Sequence, residues 1–332
     1  MVDVSILIPT HNRSAILAQT LQSLCELEVP RGVKSELIVV ANGCTDNTEE
    51  VVRRHASQLP MSVRCVSDPV ANLNHARNRC IEESTGEILA FLDDDVWVES
   101  GWLKGLLEVY ESLEAQVLAG RVTLRWIAQE RPAWLGDELL HLLSLKDHGD
   151  EVIELFRSTD AVGANFSIRR PVANQLQPFR PGLDRTGMLL LSGGETEYLH
   201  RALQHGFRMF YAPQAQVHHL IEPKRLTRDY LERVALGNGR SAQLVRDDFG
   251  LKVILRAILG YPVYIARHWL YEQLAQLKGD ERAAFLNRVL RRKMMGRYAG
   301  TWQRALGNSP IDRLSVCEGI AEASTAVDGP DA

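Results

Sequence analysis

The chain has 332 residues, 45% of them hydrophobic and 24% charged, with a formal net charge of −4. That is globular composition, long enough for one large α/β domain and an appendage, and its acidic balance speaks against nucleic acid as a partner. No charge-free apolar run reaches about 18 residues, so no membrane-spanning helix is expected.

Met1-Val2-Asp3 lacks the basic start of a secretory signal. Cys25, Cys44, Cys65, Cys80 and Cys317 show no paired or metal-type spacing and read as free thiols in a reducing cytoplasm.

Val4-Ser5-Ile6-Leu7-Ile8-Pro9 is a short apolar run, the pattern of a buried parallel strand. Ile16, Leu17, Thr20, Leu21 and Leu24 then predict a helix over about 14–27. Glu36-Leu37-Ile38-Val39-Val40 is a second strand closed by the turn signal Asn42-Gly43, after which Thr45 or Asp46 caps a helix over about 46–58. A weaker strand at 62–66 and a helix near 74–84 follow. Ile88–Leu92 is the next strong strand and runs directly into Asp93-Asp94-Asp95. Alternating β and α elements argue for a parallel sheet covered by helices on both faces. The polar clusters at 9–13, 41–46 and 93–95 all fall at strand C-terminal ends, where open α/β sheets bind ligands.

Beyond about 117 the rhythm changes. Val117–Thr123 reads as a strand, 126–148 as loop with some helix, and Phe166-Ser167-Ile168 as a strand after the turn Gly163-Ala164-Asn165. A helix is predicted at 193–204, a late strand at Phe207–Ala212, and disorder after about 309.

Three consecutive carboxylates at a strand end repel one another and call for compensation. A hard divalent cation, Mn²⁺ or Mg²⁺, supplies it and also accepts phosphate oxygens. Alternate residues of extended backbone point the same way, so Asp93 and Asp95 can converge while Asp94 points off. Arg77 suits phosphate geometry, although an exposed helix arginine fits its spacing as well.

Val4–Arg13 (VSILIPTHNR), Leu37–Thr48 (LIVVANGCTDNT), Asn74–Asn78 (NHARN) and Gly86–Asp95 (GEILAFLDDD) together resemble the successive signatures of family 2 glycosyltransferases. The likeness is dense over about 1–100 and looser over about 160–240. It implies the GT-A fold, a Rossmann-like nucleotide-binding mixed sheet flanked by helices, with a DxD metal motif. It further implies that Pro9, Thr10 and Asn12 line a nucleotide pocket with Asn42 beside the base. Many members carry Asp where Asn42 stands, reading uracil, and an amide still offers both acceptor and donor. Asp46 is expected to cap and support its loop, Arg77 to lie near base and phosphates, Asp93 and Asp94 to line the donor site, and Asp95, with Asp93, to hold the metal.

Ser192-Gly193-Gly194-Glu195-Thr196-Glu197-Tyr198, then Arg201, resembles the family's segment carrying the catalytic base. Counting back from Tyr198 and Arg201 puts Glu195 at the base position and Gly194 where an acidic residue is usual. Glu197 is the alternative base, since two residues apart on a helix the carboxylates diverge. His218, of the pair His218-His219, is the expected further metal ligand, and Asn165 and Gly194 are expected beside sugar or acceptor.

The segment 250–304 mixes aromatic and aliphatic residues with Lys252, Arg256, Arg267, Arg291, Arg292, Lys293 and Arg297. Such a pattern suits a helix lying on an anionic membrane surface; a helical subdomain packed on the sheet, or a dimer contact, is the competing reading.

The sequence therefore predicts a GT-A domain over 1–240, with donor half 1–116 and acceptor half 117–240, a helical region over 241–308 and a disordered tail over 309–332. The expected activity is inverting, metal-dependent transfer from a nucleotide-diphosphate sugar, UDP-linked by preference, to a saccharide or lipid-linked acceptor. The expected place is the cytoplasm, free or on the inner face of a membrane. Nucleotidyl transfer and a non-catalytic scaffold are the rival readings.

Overall fold

The computed structural model describes residues 2–183, 185–186, 189–190, 193–245 and 249–307. The expected tail from 309, Cys317 and Ser192 lie outside the described residues.

In chain order the elements are β1 (Val4–Thr10), α1 (Ser14–Cys25), β2 (Ser35–Asn42), α2 (Thr48–His55), β3 (Ser62–Asp68), α3 (Leu73–Glu83) and β4 (Ile88–Leu92). Next come β5 (Val96–Val98), α4 (Trp102–Ser112), β6 (Val117–Trp126), β7 (Ile153–Leu155), β8 (Asn165–Arg169) and α5 (Arg170–Gln175). The ribbon β9 (Arg185–Thr186) and β10 (Leu189–Leu190) precedes α6 (Gly194–Gln204) and β11 (Met209–Ile221). Helices α7 (Arg228–Leu244), α8 (Leu251–Leu255), α9 (Tyr261–Leu277) and α10 (Glu281–Ala305) follow.

The described residues divide into two compact units. The first runs to Phe179 and resumes over Gly194–Thr227; the second takes Arg180–Gly193 and everything from Arg228 onward. The boundary expected near 240 falls inside α7.

In the first unit nine described strands form one mixed sheet, ordered β3-β2-β1-β4-β8-β6-β11-β5, with β7 also on β11. Strands β1 to β4 are parallel, whereas β8 runs antiparallel to both neighbours. All seven residues of β1 are buried because helices cover both faces, which is why the strand reads as a continuous apolar run. Val4, Ile6 and Ile8 pack on one face with Leu17, Leu21 and Trp102, and Leu7 packs on the other with Ala76, Cys80 and Phe91. From β1 the chain steps outward to β2 and β3, then returns to the other side of β1 as β4. The ends of β1 and β4 therefore meet at a topological switch point, where a crevice opens.

Strand β11 runs on through Pro213 instead of stopping at Ala212. Its pairing with β6 slips between Ala212 and Gln216, so residues 213–215 have no partner there and the missing N–H of Pro213 breaks no ladder bond. His218 and His219 consequently lie inside a strand, not after one.

In the second unit α7 and α10 cross at backbone distance. A Cβ on Gly239 would strike the Lys293 carbonyl, and one on Gly296 the Leu236 carbonyl. None of the described helices is long and apolar enough to cross a membrane. The described cysteines Cys25, Cys44, Cys65 and Cys80 are all free thiols.

Candidate active site

The loops leaving β1 and β2 are laced together by side chains. The Asn42 amide donates to the Thr10 carbonyl at 2.5 Å, and Asn12, held at φ 50°, accepts from the Thr45 N–H at 2.7 Å. Asp46 accepts from the N–H groups of Ser14 at 2.9 Å and Thr48 at 3.2 Å, joining the starts of α1 and α2 as loop support, while the N-cap of α2 is Asn47 and not Thr45 or Asp46. Pro9 is buried backbone within β1.

The three aspartates after β4 face different partners. Asp94 accepts from Thr10 at 2.7 Å and from Arg13 at 2.6 Å, so it is buried beneath the β1 loop. Burial is the main reason its carboxyl is pushed up to about 7, with Arg13 opposing that and Asp95 reinforcing it. Asp95 accepts from Arg13 at 2.8 Å and from Arg225, and Arg13 also reaches Glu222 at 3.1 Å. Burial opposes ionisation of Asp95, but Arg225, foremost among its cationic neighbours, and Arg13 hold it well below the ordinary carboxylate range. Asp93 is half-buried; burial first, then Asp95, raise its carboxyl, while Arg77 acts the other way.

One atom in this cluster lacks a donor. Among the described residues none donates a hydrogen bond to Asp95 Oδ1, which is buried. Opposite it, at 3.3 Å, stands His219 Nε2. The Nδ1–H of His219 donates to the Leu143 carbonyl at 2.6 Å, and Arg225, which cannot accept, donates to Nε2 at 2.8 Å. That bond takes up the one lone pair of Nε2, so His219 steadies Arg225 and leaves Asp95 Oδ1 as the acceptor without a donor. A buried carboxylate oxygen without a donor fits a cation. Among the described residues no three His, Cys, Asp or Glu side chains converge as a closed cage. A divalent ion here would take Asp95 Oδ1 as a protein ligand and complete its shell with phosphate oxygens and water.

Across the crevice, α6 begins at Gly194 against Asn74. A Cβ on Gly194 would collide with the Asn74 carboxamide, so the helix start is glycine for close approach. Asn74 accepts from Arg77 at 3.0 Å, and Arg77, only 3% exposed, forms an ion pair with Glu195 at 3.4 Å. The Arg77 guanidinium also lies 5.6 Å from the Phe179 ring centre. Asp93 lies within electrostatic reach of Asp95, His219, Arg77 and Glu195, which ties the two sides into one site.

A family model described as glycosyl transferase family 2 matches residues 5–176, more than half of the 332-residue chain. The chain belongs to glycosyl transferase family 2. It is 27% identical to the succinoglycan biosynthesis protein ExoM of Rhizobium meliloti, over 68% of this chain and 69% of that one. It is 26% identical to the glucosyl-dolichyl phosphate glucuronosyltransferase of Haloferax volcanii, over 70% of each. The solved mannosyltransferase PcManGT of Pyrobaculum calidifontis, in complex with GDP-Man and Mn²⁺, superposes with a TM-score of 0.55 at 20% identity, covering 92% of this chain and 86% of that one. TarS 1-349 of S. aureus, in complex with UDP, gives 0.50 at 13% identity over 92% of each chain. The fold is thus GT-A with a helical C-terminal region, and the chain is an enzyme of the glycosyltransferase type.

Within this family 2 site three expected placements are corrected. His218 points away from the aspartates, to Thr123 at 2.5 Å and Glu99, because alternate residues of β11 face opposite sides of the sheet and His219 takes the inward side. Asn165 is 1% exposed and entirely structural: it donates to the carbonyls of Arg121 and Ala215 and accepts from the Trp102 indole at 3.0 Å, filling the slip in β11 rather than meeting a sugar. Asp94 is buried and shares Arg13 with Asp95 instead of lining an open pocket. Glu197 is buried and paired with Arg201 at 2.8 Å, leaving Glu195 on the crevice side. Sequence reasoning passed over Arg13, Glu222 and Arg225. Arg13 sat in plain view in the first motif, but Arg225 joins Asp95 across 130 residues, a pairing no local pattern announces.

Proposed function

We propose that the enzyme transfers a sugar, with inversion, from a nucleotide-diphosphate donor to a hydroxyl of a saccharide or lipid-linked acceptor, in the presence of Mn²⁺ or Mg²⁺. The observation that carries the reading is the buried Asp95 Oδ1, to which no described residue donates, with Asp93 in electrostatic reach of both Asp95 and the Arg77–Glu195 pair. When bound, the cation would neutralise charge on the departing diphosphate. Glu195 takes the acceptor hydroxyl's proton as that oxygen attacks the anomeric carbon. Arg77, gripped by Asn74, fixes where Glu195 stands. Arg13 and Arg225 hold Asp95 ionised and aimed.

A uridine donor is favoured by Asn42. One N–H of its amide donates to the Thr10 carbonyl, and Oδ1 stands as an acceptor. An acceptor there matches the N3–H of uracil. The Haloferax relative's name gives it a dolichyl-linked substrate, which supports a lipid-linked acceptor as one of the two classes.

Thermal shift against UDP, GDP, CDP and dTDP, each with Mn²⁺, Mg²⁺ or EDTA, tests the donor site. Stabilisation by UDP that EDTA removes is expected; indifference to all four nucleotides would overturn the reading. Product analysis adds the reaction type, since release of pyrophosphate in place of nucleoside diphosphate would mean nucleotidyl transfer.

A further inference from the structure

Helix α8, one π-turn over Arg256–Gly260 and helix α9 form a continuous helical run. Leu251, Leu255 and Ile258 follow spacings of four and three; Val263, Leu270 and Leu274 follow seven and four, and Leu277 comes three later. All are exposed, Leu251 by 71% and Leu277 by 85%. The two sets are joined by a step of five, Ile258 to Val263, and it falls across the π-turn. In an α-helix the extra residue would rotate the second set by about 100° away from the first. The π-turn absorbs it and keeps a single apolar stripe, roughly 40 Å long at 1.5 Å per residue. Val253, Ala257, Tyr261, Glu272 and Ala275, on the opposite side, are buried.

Charge along the run is one-sided. Between Leu251 and Lys278 the sole acidic residue is Glu272, which is buried and held by Arg288 at 2.7 Å and Arg291 at 2.9 Å. Lys252, Arg256, Arg267 and Lys278 are exposed. By helical spacing they share one flank of the stripe with Tyr264 and Tyr271, and the Arg267 guanidinium lies 4.6 Å from the Tyr264 ring centre. The stripe thus needs an occupant that is apolar and negatively charged along one edge. A second copy of this segment offers the basic flank again and no exposed acid.

We propose that this stripe lies in the surface of an anionic lipid bilayer, its aliphatic residues in the acyl boundary and its basic, tyrosine-bearing flank among the headgroups. The helix rests on the membrane and does not cross it. Nothing in this depends on the donor chemistry: a chain that turned over no sugar nucleotide would still bind.

The test is sedimentation of the full chain with phosphatidylcholine vesicles, with and without phosphatidylglycerol, alongside light scattering and circular dichroism. The wild type is expected to pellet with the phosphatidylglycerol vesicles and to be released as salt rises. Val263→Glu/Leu270→Glu should abolish binding with helix content unchanged. Arg256→Glu/Arg267→Glu should weaken it by about five-fold or more per residue reversed, and it stands in if the first variant misfolds. Failure of the wild type to bind anionic vesicles, or equal binding by both variants, would overturn the proposal. So would a wild-type dimer that ignores vesicles and becomes monomeric in the Val263→Glu/Leu270→Glu variant.

Discussion

Glu195 and Glu197 stand two residues apart in the first turn of α6, and the helix sends them to different partners. Glu195 meets Arg77 on the crevice side, while Glu197 meets Arg201, whose guanidinium also ties down the carbonyls of Gln177 and Pro178. Opposite losses follow. Glu195→Gln is expected to cut transfer by about 10²–10⁴-fold, the usual weight of a general base, with UDP binding and thermal stability retained. Glu197→Gln breaks a buried ion pair and should cost about 3–5 kcal/mol of stability, read by urea titration. If the stability loss belonged to Glu195 and the rate loss to Glu197, the roles would be reversed. The histidines make a parallel pair. Removing the His219 imidazole, which steadies the Arg225 that holds Asp95, as His219→Ala, should raise the Mn²⁺ needed for half-maximal activity by the about 10–100-fold that losing a supporting partner costs. His218→Ala, on the far face of β11, should leave that concentration unmoved. Spacing alone disclosed that one histidine of the two would face inward; which one depended on the register of β11, fixed by the slip beside Pro213.

At the scale of elements, legibility followed burial. Strands β1, β2 and β4 were readable because each is apolar on both faces, and β8 because Phe166 and Ile168 flank a buried serine. β5 is three residues long and α4 follows it at once, so neither carries a period that stands out from Asp93-Asp94-Asp95. The buried charge in β2 was equally unreadable. Glu36 lies beside Ser5 in the β1–β2 register and accepts from the Ser5 hydroxyl at 2.7 Å, the Thr85 N–H at 2.7 Å and the Thr85 hydroxyl at 2.9 Å. It fastens β1, β2 and the turn before β4, and so sets where the ends of β1 and β4 meet. Burial raises its carboxyl, but the hydrogen bonds from Ser5 and Thr85 outweigh that and hold it below its ordinary 4.5. A lowered folded pKa gives stability that is complete above the unfolded value and is lost as pH falls through the folded one. Glu36→Gln should therefore cost about 1–3 kcal/mol at pH 7, and the gap to wild type should narrow in urea titrations run well below pH 4.5. An equal gap at both pH values would mean that the charge contributes nothing.

For the molecule as a whole, the division into two units makes a thermodynamic claim. The ligand-binding residues proposed for the donor all belong to the first unit, whereas the glycine-lined crossing of α7 and α10 belongs to the second. No periodicity announced that crossing, because Gly239, Gly296 and Gly300 read as interruptions of helical pattern when their partner backbone is unknown. Their effect is to let two helix backbones touch, so a methyl group has nowhere to go. Gly296→Ala forces α10 away from the Leu236 carbonyl and should cost about 1–3 kcal/mol, as overpacking does elsewhere. A ligand, by contrast, stabilises only the cooperative block that binds it, by about 2.7 kcal/mol at a hundredfold excess over its Kd. Scanning calorimetry of wild type and Gly296→Ala, each with and without UDP and Mn²⁺, separates the two. The variant is expected to lower one transition that the nucleotide does not move, while the nucleotide raises another that the variant does not touch. A single transition displaced by both would mean that the two units melt as one cooperative block, and the substitution would then reach the donor site through stability alone.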